Sequence, residues 1–477
     1  MDFINSNIII KQIAQLARQE KVQAFLVGGY IRDKILGIEK SDIDISVIGD
    51  AIEFGKKAAA LFDKSLDAVY DKFGTALLNI QSPNNGIAKI EFASARKESY
   101  RKSSRKPDVE FSDLKDDLSR RDFTVNAFAV SLSDDNNEII DFFGGLEDLN
   151  EKILRTPLEP VKTFDDDPLR IMRACRFASQ LNFSIESETF EAIKEMRLRL
   201  KLNAGEPTVV SQERITDEFM KILSSPTPSI GLKLLFKAGI MEIIFPEIHA
   251  LEGVDQRKDF HHKDVFYHTL QVVDNTASKS NSLWLRFAAL MHDIAKPPTK
   301  KFVEGIGWTF HGHEELGARW QKKIFQRMKL PYDKLPYVEK LVRLHLRPIA
   351  LAEENVTDSA IRRLIFEAGD DIEDLLTLCR SDITSKDPDK VSKFLGNFDR
   401  VEKRIAEVEE RDNIRNFQSP IRGEEIMKIC NLTPSREVGI IKKKIEEAIL
   451  DGIIPNEYEA ALDYLNKIKD EALKIKS

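Results

Sequence analysis

Residues 27–47 of the chain read VGGYIRDKILGIEKSDIDISV. An apolar run ends there in paired glycines, a helix-like segment follows, and a second run then alternates polar and apolar residues. Because successive strand side chains point to opposite faces, Asp42 and Asp44 are expected on one face, with the intervening isoleucines in a core. The stretch therefore predicts a glycine turn, a short helix and a strand that presents two carboxylates side by side.

The order of patterns along the chain indicates an α+β fold with separate domains. A length of 477 residues corresponds to roughly three domains. Strand-like composition and alternation occur in four N-terminal runs: Phe25–Val27, Ile43–Ile48, Thr75–Ile80 and Ile87–Phe92. From about Asp167 onward the pattern changes to amphipathic helices without a convincing strand run, which predicts an all-α remainder.

Composition places the chain among ordinary globular proteins. It has 72 Lys and Arg against 79 Asp and Glu, a formal net charge of −7, with 42% hydrophobic and 32% charged residues. That profile excludes a disordered or fibrous chain, and the acidic balance gives no global reason to expect a nucleic-acid partner. One local exception is the segment Arg96–Lys106, which has six basic residues and one acidic residue. It is interpreted either as a solvated loop or as a loop that contacts phosphates.

Cysteine usage and hydropathy predict a cytoplasmic protein without a membrane partner. The three cysteines, Cys175, Cys379 and Cys430, match no zinc or redox spacing, so a reducing compartment is expected. The N-terminus lacks the basic and apolar regions of a signal peptide. The apolar stretch Leu234–Phe245 is too short to cross a bilayer.

The paired carboxylates of Asp42 and Asp44 predict a Mg²⁺ site, because adjacent carboxylates repel each other unless a cation lies between them. A third acid, Glu91, would complete the cluster if its strand lies beside the first. Gly28 and Gly29 would let the backbone approach a triphosphate. Taken alone, each feature has a plainer interpretation, as a solvated strand face or a strand–helix turn.

Three motifs in order make the chain similar to a known family. Residues 28–44 contain Gly-Gly, Arg-Asp and Asp-x-Asp, residues 118–127 read LSRRDFTVNA, and residues 141–148 read DFFGGLED. This series resembles the head of bacterial tRNA nucleotidyltransferases (CCA-adding enzymes) and poly(A) polymerases. The resemblance implies a polymerase-beta-like nucleotidyltransferase head with a small mixed β-sheet, followed by an all-α neck, an HD body and a tail.

The resemblance also implies roles for individual residues. Asp42, Asp44 and Glu91 would be catalytic, with Mg²⁺ on the two aspartates. The nucleotide would be bound by Gly28, Gly29, Arg32, Arg120, Arg121, Asp122, Asn126, Asp167, Arg170 and Arg173.

Two features of the second motif follow from side-chain chemistry. The guanidinium forks of Arg120 and Arg121 suit triphosphate oxygens, although an ion-pair network with Asp116 and Asp117 is the alternative. Asp122 and its partner four residues on, Asn126, are expected to share a helix face, from which they would order the arginines or the ribose.

Base selection is expected at the start of a helix. Asp167 has the features of an N-cap and Pro168 those of the first helical position. By the family motif, Asp167 and Arg170 would hydrogen-bond the incoming base in place of a template. Glu213 and Arg214 match a further motif and would brace this helix, although a surface ion pair is equally compatible with them.

A second metal site is predicted from the histidines, of which seven of eight lie between His261 and His345. Leu290–Pro297 is interpreted as a buried helix ended by proline, and the ordered series of histidines and aspartates resembles the HD phosphohydrolase superfamily. A transition metal or Mg²⁺ would be bound there, and the proposed ligands are His268, His292, Asp293 and Asp382, with His313 and His345 for a second ion or an anionic substrate. A helical spacer with a vestigial site is the alternative.

The remaining histidines of that region, His261, His262 and His311, are expected at the surface or behind the ligands.

The expected organisation is a catalytic head at 1–148, a neck for base selection and RNA binding at 149–230, an HD body at 231–405 and a tail at 406–477. Linkers are expected at 203–208 and 413–420 from their Pro, Gly and polar content.

The predicted activity is template-independent addition of C and A to the 3′ end of tRNA from CTP and ATP, with pyrophosphate released and HD phosphohydrolase activity as an addition. A poly(A) polymerase, an enzyme adding only C or only A, and an HD phosphohydrolase with an RNA-binding head are the alternatives. The oligomeric state cannot be read from the sequence.

Overall fold

A computed structural model describes residues 2–39, 42–81, 86–99, 108–111, 113–134, 137–201, 210–254, 264–305, 307–352, 357–384, 387–412 and 417–473. The chain divides into two compact units, Met1–His249 and Ala250–Ser477. The first unit is α+β and the second is almost entirely helical.

The first unit contains the predicted strands together with shorter ones. Its strands are β1 (Gln23–Val27), β2 (Asp42–Ile48), β3 (Ala68–Tyr70), β4 (Thr75–Gln81), β5 (Ile87–Ser94), β6 (Arg96–Ser99), β7 (Asp108–Phe111), β8 (Phe128–Ser131), β9 (Ile139–Asp141), β10 (Ile153–Leu154) and β11 (Ser184–Ile185). Its helices are α1 (Ile8–Gln19), α2 (Gly29–Ile35), α3 (Ala51–Ala60), α4 (Leu114–Ser119), α5 (Gly145–Glu151), α6 (Pro160–Asp166), α7 (Leu169–Leu181), α8 (Ser187–Met196), α9 (Gln212–Leu223), α10 (Pro228–Lys237), α11 (Met241–Ile244) and α12 (Pro246–His249). Short 3₁₀ turns lie at Asp71–Phe73, Thr124–Asn126 and Arg197–Leu200.

The central element of this unit is a mixed seven-stranded sheet in the order β3-β4-β5-β2-β1-β8-β9. Strands β2 and β5 are parallel, which requires a crossover, and α3 lies within that connection. The other neighbouring pairs are antiparallel. The four sequence-predicted strands and the small mixed sheet are thereby confirmed.

The two faces of β2 differ as the alternation predicted. Ile43, Ile45 and Val47 are at most 1% exposed, whereas Asp42 is exposed and Asp44 half-buried on the other face. Helix α3 covers the apolar side of the sheet, where Phe54 meets Phe92 edge to face at 5.9 Å between ring centroids. The carboxylate face of the sheet is consequently left for the site.

Part of the basic segment is a strand rather than a loop. Strand β6 pairs with β7 in an antiparallel ladder, with Arg96 opposite Phe111. The prediction of a loop from Arg96 was therefore wrong for its first four residues, and residues 100–107 lie outside the described part of the chain. The predicted linker 203–208 also lies outside it.

The helical half of the first unit is built on α7. Helices α9 and α10 pack against it, and a side chain at Gly231 would come within 2.7 Å of Ile222 and 3.0 Å of the Cys175 carbonyl oxygen. Glycine at that position therefore permits the close approach of α10. Cys175, Leu169 and Met172 of α7 are buried, as their helical spacing predicted.

The second unit is composed of helices and one hairpin. Its helices are α13 (Val265–Lys279), α14 (Leu283–Met291), α15 (Lys296–Thr299), α16 (His313–Met328), α17 (Leu335–Leu344), α18 (Arg347–Ala350), α19 (Asp358–Ala368), α20 (Ile372–Asp382), α21 (Pro388–Asp412), α22 (Gly423–Cys430), α23 (Arg436–Leu450) and α24 (Tyr458–Leu473). The hairpin is β12 (Lys301–Val303) and β13 (Gly307–Thr309), and 3₁₀ turns lie at Tyr332–Lys334 and Gly369–Asp371. Of the predicted linker 413–420, the described residues 417–420 are irregular.

Two expectations for the region after Asp167 were wrong. The hairpin β12–β13 and the two-residue strand β11 lie where an all-α pattern was predicted, because such short strands leave no alternation to detect. Helix α14 ends at Met291, and Pro297 lies in the first turn of α15 instead of ending the earlier helix. Among the described helices, none is long and apolar enough to cross a membrane.

Candidate functional site

A cavity of about 510 Å³ in the first unit brings together most of the residues predicted to bind a nucleotide. The predicted residues that line it are Gly29, Arg32, Asp42, Asp44, Arg120, Arg121, Asp122, Asn126, Asp167, Arg170 and Arg173. Tyr30, Asp33, Arg176, Phe177 and Arg214 line it as well. The cavity therefore combines several guanidinium groups with the two carboxylates of β2.

The carboxylates occupy adjoining positions of the sheet. Asp44 lies opposite Val27 on one side and opposite Glu91 on the other. Burial raises the pKa of Asp44, the charge of Arg121 opposes that rise, and the like charge of Asp42 adds to it. Two adjacent carboxylates of which one is desolvated fit a divalent cation, which would favour their charged forms.

Glu91 lies on the same face but does not line this cavity. Its side chain lines a neighbouring groove on the far side of β5. Two groups of three described ligands have atoms within 4.8 Å of one another, and neither includes Asp42, Asp44 or Glu91. Strand β5, which contains Glu91, is adjacent to β2, as the prediction of a third carboxylate required. A cluster of all three carboxylates stays a prediction.

Gly28 fixes the approach of the backbone to the cavity. Its φ of +76° and ψ of −142° lie in a region that is essentially restricted to glycine. A Cβ there would lie 2.7 Å from Arg121 Nη1 and 3.3 Å from Asp44 Oδ2. The residue is thus required both for the turn and for the space beside the arginine and the carboxylate.

Arg120 and Arg121 are positioned by a single buried acid. Arg120 Nη2 donates to Asp117 Oδ1 at 2.7 Å, and Arg121 Nη2 lies 3.5 Å from Asp117 Oδ2. Burial would raise the pKa of Asp117, but the two arginines lower it. The ion-pair network considered as an alternative therefore exists through Asp117, and both arginines also line the cavity.

Asp122 and Asn126 touch, although no α-helix connects them. Helix α4 ends at Ser119, and residues 124–126 form a 3₁₀ turn, so the expectation of a shared helix face was wrong. The turn brings Asn126 Nδ2 to 2.8 Å from Asp122 Oδ1, and Arg173 Nε donates to Asp122 Oδ2 at 2.7 Å. Burial would raise the pKa of Asp122, but the charge of Arg173 and the Asn126 hydrogen bond lower it to about 2.

The proposed base-reading residues lie at the start of α7. Asp167 Oδ1 accepts a hydrogen bond from the Leu169 amide at 3.1 Å, as expected of a residue that caps a helix. The helix itself begins at Leu169 and not, as predicted, at Pro168. Arg214 Nη2 lies 3.6 Å from Asp167 Oδ2, an ion pair between partly exposed side chains, and the bracing role of Arg214 stays a prediction. Arg170 Nη2 donates to the Arg120 carbonyl oxygen at 2.5 Å, so the arginine predicted to read the base is linked directly to one predicted to bind the triphosphate. Glu213 is exposed.

Arg176 and Phe177 line the cavity but were not predicted from the sequence. Arg176 is paired with the buried Glu218 at 2.8 Å, and its guanidinium lies 4.2 Å from the centroid of the Phe177 ring. Arg173 lies over the same ring at 5.3 Å. The three-residue spacing from Arg170 through Arg173 to Arg176 was the available signal, since residues three apart are neighbours on a helix.

The second unit brings the predicted HD residues to one point. The ligand atoms of His268, His292 and Asp382 form one group of three, and those of Asp293, His313 and His345 form the other. His268 Nε2 lies 2.9 Å from Asp382 Oδ1, and His313 Nε2 lies 3.3 Å from Asp293 Oδ1. Asp293 also lies 3.1 Å from His292 Nε2, so it is placed between the two groups.

The histidine rings are oriented for metal binding. His292, His313 and His345 each have Nδ1 2.7 Å from a backbone carbonyl oxygen three residues earlier, to which it donates. His268 Nδ1 lies 3.0 Å from Thr384 Oγ1. An outward bond at Nδ1 leaves Nε2 with its lone pair toward the centre, as in metal sites. Burial and the charge of His292 lower the pKa of His345 to about 3, which keeps it neutral.

The fold explains why this convergence occurs. His292 and His345 directly follow α14 and α17, His313 begins α16, His268 lies in the first turn of α13, and Asp382 ends α20. Lys296, in the turn after α14, lies 2.7 Å from Asp293 Oδ2 and balances its charge.

Of the three other histidines, His311 is exposed as expected, and the two at 261 and 262 lie outside the described residues.

Three family models match successive parts of the chain. They are the poly A polymerase head domain at residues 24–155, a probable RNA and SrmB-binding site of polymerase A at residues 182–252, and the HD domain at residues 265–385.

Full-length relatives point to the same family. The chain is 32% identical to the A-adding tRNA nucleotidyltransferase of Deinococcus radiodurans, over 73% of this chain and 78% of that protein. It is 30% identical to the multifunctional CCA protein of Vibrio parahaemolyticus, over 76% and 85%. The crystal structure of a tRNA nucleotidyltransferase complexed with a primer tRNA and an incoming ATP analog superposes with a TM-score of 0.57 at 25% identity, covering 82% of this chain and 98% of that one. The chain is therefore an enzyme that belongs to the tRNA nucleotidyltransferase family with a poly(A) polymerase-type head and an HD domain.

Proposed function

We propose that the protein adds C and A to the 3′ end of tRNA from CTP and ATP and releases pyrophosphate. The observation that carries the proposal is the arginine-rich cavity that opens onto Asp42 and Asp44. Relatives named for CCA and A addition, and a neighbour complexed with primer tRNA and an ATP analog, support it. We propose that this addition takes place in the cytoplasm, which is the reducing compartment expected from the cysteine content.

The chemistry is a phosphoryl transfer in which the protein mainly positions the two substrates and neutralises the charge of the phosphates. The 3′ oxygen of the RNA attacks the α-phosphorus, the bond to the β-phosphate oxygen breaks, and pyrophosphate leaves. Glu91 accepts the hydroxyl proton, and Arg120 and Arg121 bind the triphosphate.

Enzymes of the nucleotidyltransferase and HD families use divalent metals, and Mg²⁺ is the ion proposed for Asp42 and Asp44. When bound, it supplies charge neutralisation at the reacting phosphates.

Base selection is assigned to Asp167 and Arg170. A guanidinium donates to the acceptors of cytosine, and a carboxylate accepts from the exocyclic amino group that C and A share. Asp167 is held by the Leu169 amide and Arg214, and Arg170 by main-chain oxygens. Their positions are thus fixed by the protein before a base arrives, which is the requirement for reading a base without a template.

Nucleotide supply tests this proposal. A tRNA that ends before its CCA is incubated with CTP alone, ATP alone or both. The account predicts two residues added with CTP, none with ATP and three with both. An extension that stops at two residues with both nucleotides would indicate an enzyme that adds only C. Extension of a tRNA that already ends in CC, but not of one that lacks the whole CCA, would indicate an enzyme that adds only A, and long A tails would indicate a poly(A) polymerase.

A second activity is proposed for the HD site, because six ligand residues converge there with their rings already oriented. The proposed ions are Mn²⁺, Ni²⁺ or Mg²⁺, and the substrate is a phosphate ester such as a 2′,3′-cyclic phosphate. Hydrolysis of 2′,3′-cyclic AMP and p-nitrophenyl phosphate is measured with each metal, using His292→Ala as the control. Absence of hydrolysis with every metal would contradict the proposed activity and would leave the HD site with a structural role only.

We further propose the four-part division named above, with the head at 1–148, the neck at 149–230, the body at 231–405 and the tail at 406–477. Nucleotide transfer with its Mg²⁺ is assigned to the first part, base selection to the second, and the HD metal site to the third.

A further inference from the structure

A second groove lies on the carboxylate face of the sheet, beyond Glu91. Its volume is about 330 Å³, and it is lined by Tyr70, Phe73, Thr75, Leu77, Lys89 and Glu91. Building on the proposed function, we infer that this groove binds the 3′-terminal nucleotide of the RNA primer, with its base stacked on Tyr70 and Phe73.

The strand register makes the groove continuous with the proposed catalytic centre. Asp44 lies opposite Glu91, Glu91 opposite Leu77, and Leu77 opposite Ala68, so one row crosses four strands on one face. Tyr70, two residues beyond Ala68, lies on the same face opposite Thr75. Neighbouring strands are about 4.8 Å apart, so the groove begins roughly one strand from the aspartates and extends to the sheet edge.

The two recesses divide the carboxylates between them. The nucleotide cavity is lined by Asp42 and Asp44 but not by Glu91, and the groove is lined by Glu91 but by neither aspartate. A transfer reaction needs its two substrates on opposite sides of the reacting phosphorus, so that attack is in line with the leaving group. The incoming nucleotide occupies the arginine side, which leaves the Glu91 side for the RNA hydroxyl whose proton that carboxylate accepts.

The side chains of the groove have the chemistry of a single-strand binding surface. Tyr70 is 52% exposed and Phe73 is 43% exposed. Exposed rings beside a cation are the elements with which proteins stack bases and hold the phosphate backbone. Lys89 supplies that cation and lies opposite Asp42 in the ladder. Stacking accepts every base, as a primer end that changes with each addition requires.

The test compares two tRNA primers that differ only at the 3′-terminal nucleotide, which is intact in one and abasic in the other. Both retain the attacking hydroxyl. Dissociation constants are measured by fluorescence anisotropy with the full chain in the absence of CTP and ATP. Stacking on one ring corresponds to roughly 5- to 150-fold in affinity per base. The wild type is therefore expected to bind the intact end about tenfold more tightly than the abasic end.

Variants assign that preference to the groove. Tyr70→Ala combined with Phe73→Ala is expected to bring the intact-to-abasic ratio close to one while the affinity for CTP is unchanged. Tyr70→Phe should retain the ratio, because the ring remains. Val69→Ala is the matched control, since Val69 is 41% exposed on the same strand but points to the opposite face.

The outcomes separate this inference from the proposed function. A wild type that extends tRNA but binds both ends equally overturns the groove assignment alone. The same holds if the double variant keeps the wild-type ratio. A wild type that does not extend tRNA with CTP and ATP overturns the proposed function, and the groove assignment with it.

Discussion

At the scale of single residues, the head cavity depends on buried charges that hold one another in place. Asp117 positions Arg120 and Arg121, and Asp122 holds Arg173. Each acid is nearly inaccessible to solvent, so its charge is stable only while its arginine partner remains within hydrogen-bond distance. The geometry of the triphosphate site is therefore coupled to the stability of the first unit.

Replacing Asp122 should reveal that coupling through pH. The folded pKa of about 2 lies below the ordinary 3.8, so the carboxylate contributes stability that is complete above pH 4 and is lost as the pH falls toward 2. That difference corresponds to roughly 2 kcal/mol. Asp122→Asn is expected to lower the free energy of unfolding by about this amount at pH 7, and the gap to wild type should close in acid.

Urea unfolding between pH 2 and pH 7 is the measurement. Glu53→Gln, an exposed carboxyl on α3, is the control and should leave stability nearly unchanged. If Asp122→Asn lowered the free energy of unfolding equally at pH 2 and pH 7, the charge of Asp122 would not be the source of the lost stability.

At the scale of secondary-structure elements, the turn between β1 and α2 brings the backbone to the cavity proposed to bind the triphosphate. Gly28→Ala is expected to cost about 1–3 kcal/mol of stability, because the backbone there is in a glycine-only region. It should also raise the KM for nucleotide, since the new methyl group would displace Arg121.

Gly86→Ala is the control for that substitution, because Gly86 does not line the cavity. A Cβ at Gly86 would have no other heavy atom within 4 Å, and its φ is not positive. Thermal unfolding and nucleotide titration of both variants test the account. Equal effects from the two substitutions would contradict the role assigned to Gly28.

Elements with a strong local signal were predictable from the sequence. The alternation around Asp42 and Asp44 placed both side chains on the open face, and the strand containing Glu91 lies beside them. The short hairpin at 301–309 was not predictable, because three-residue strands have no measurable period. Asn126 and Asp122 were expected to share a helix face, whereas a 3₁₀ turn that depends on tertiary packing brings them into contact.

The missed residues of the site have the same explanation. The pattern around Arg176 and Phe177 indicated only that these residues lie on a helix. Their place on the cavity wall depends on which face of α7 packs against α9 and α10. Similarly, α14 ends at Met291, whereas the position of Pro297 had predicted a later end.

At the scale of the whole molecule, the net charge of −7 has to be interpreted together with the positions of the acidic residues. Some lie in the two candidate metal sites, where bound cations would offset them, and others neutralise the cavity arginines. An acidic average is therefore compatible with an RNA substrate bound at local positive surfaces.

Metal binding at the HD site should stabilise the full chain. An ion present at about 100 times its dissociation constant contributes roughly 2.7 kcal/mol to the folded state. Mn²⁺ is therefore expected to raise the unfolding temperature of the wild type, and EDTA to reverse the rise. His292→Ala should abolish the shift, whereas His311→Ala, a substitution of an exposed histidine, should retain it. An equal shift in all three proteins would place the ion elsewhere.

The central claim is that the carboxylates of β2 support nucleotide addition to tRNA. It is tested most directly by incubating a tRNA that ends before its CCA with CTP, ATP and Mg²⁺, and by following its length with wild type, Asp42→Ala and the control Glu53→Ala. The account predicts that wild type and the control add the three nucleotides CCA, and that Asp42→Ala adds none in the same time. Extension by Asp42→Ala at the wild-type rate would contradict it.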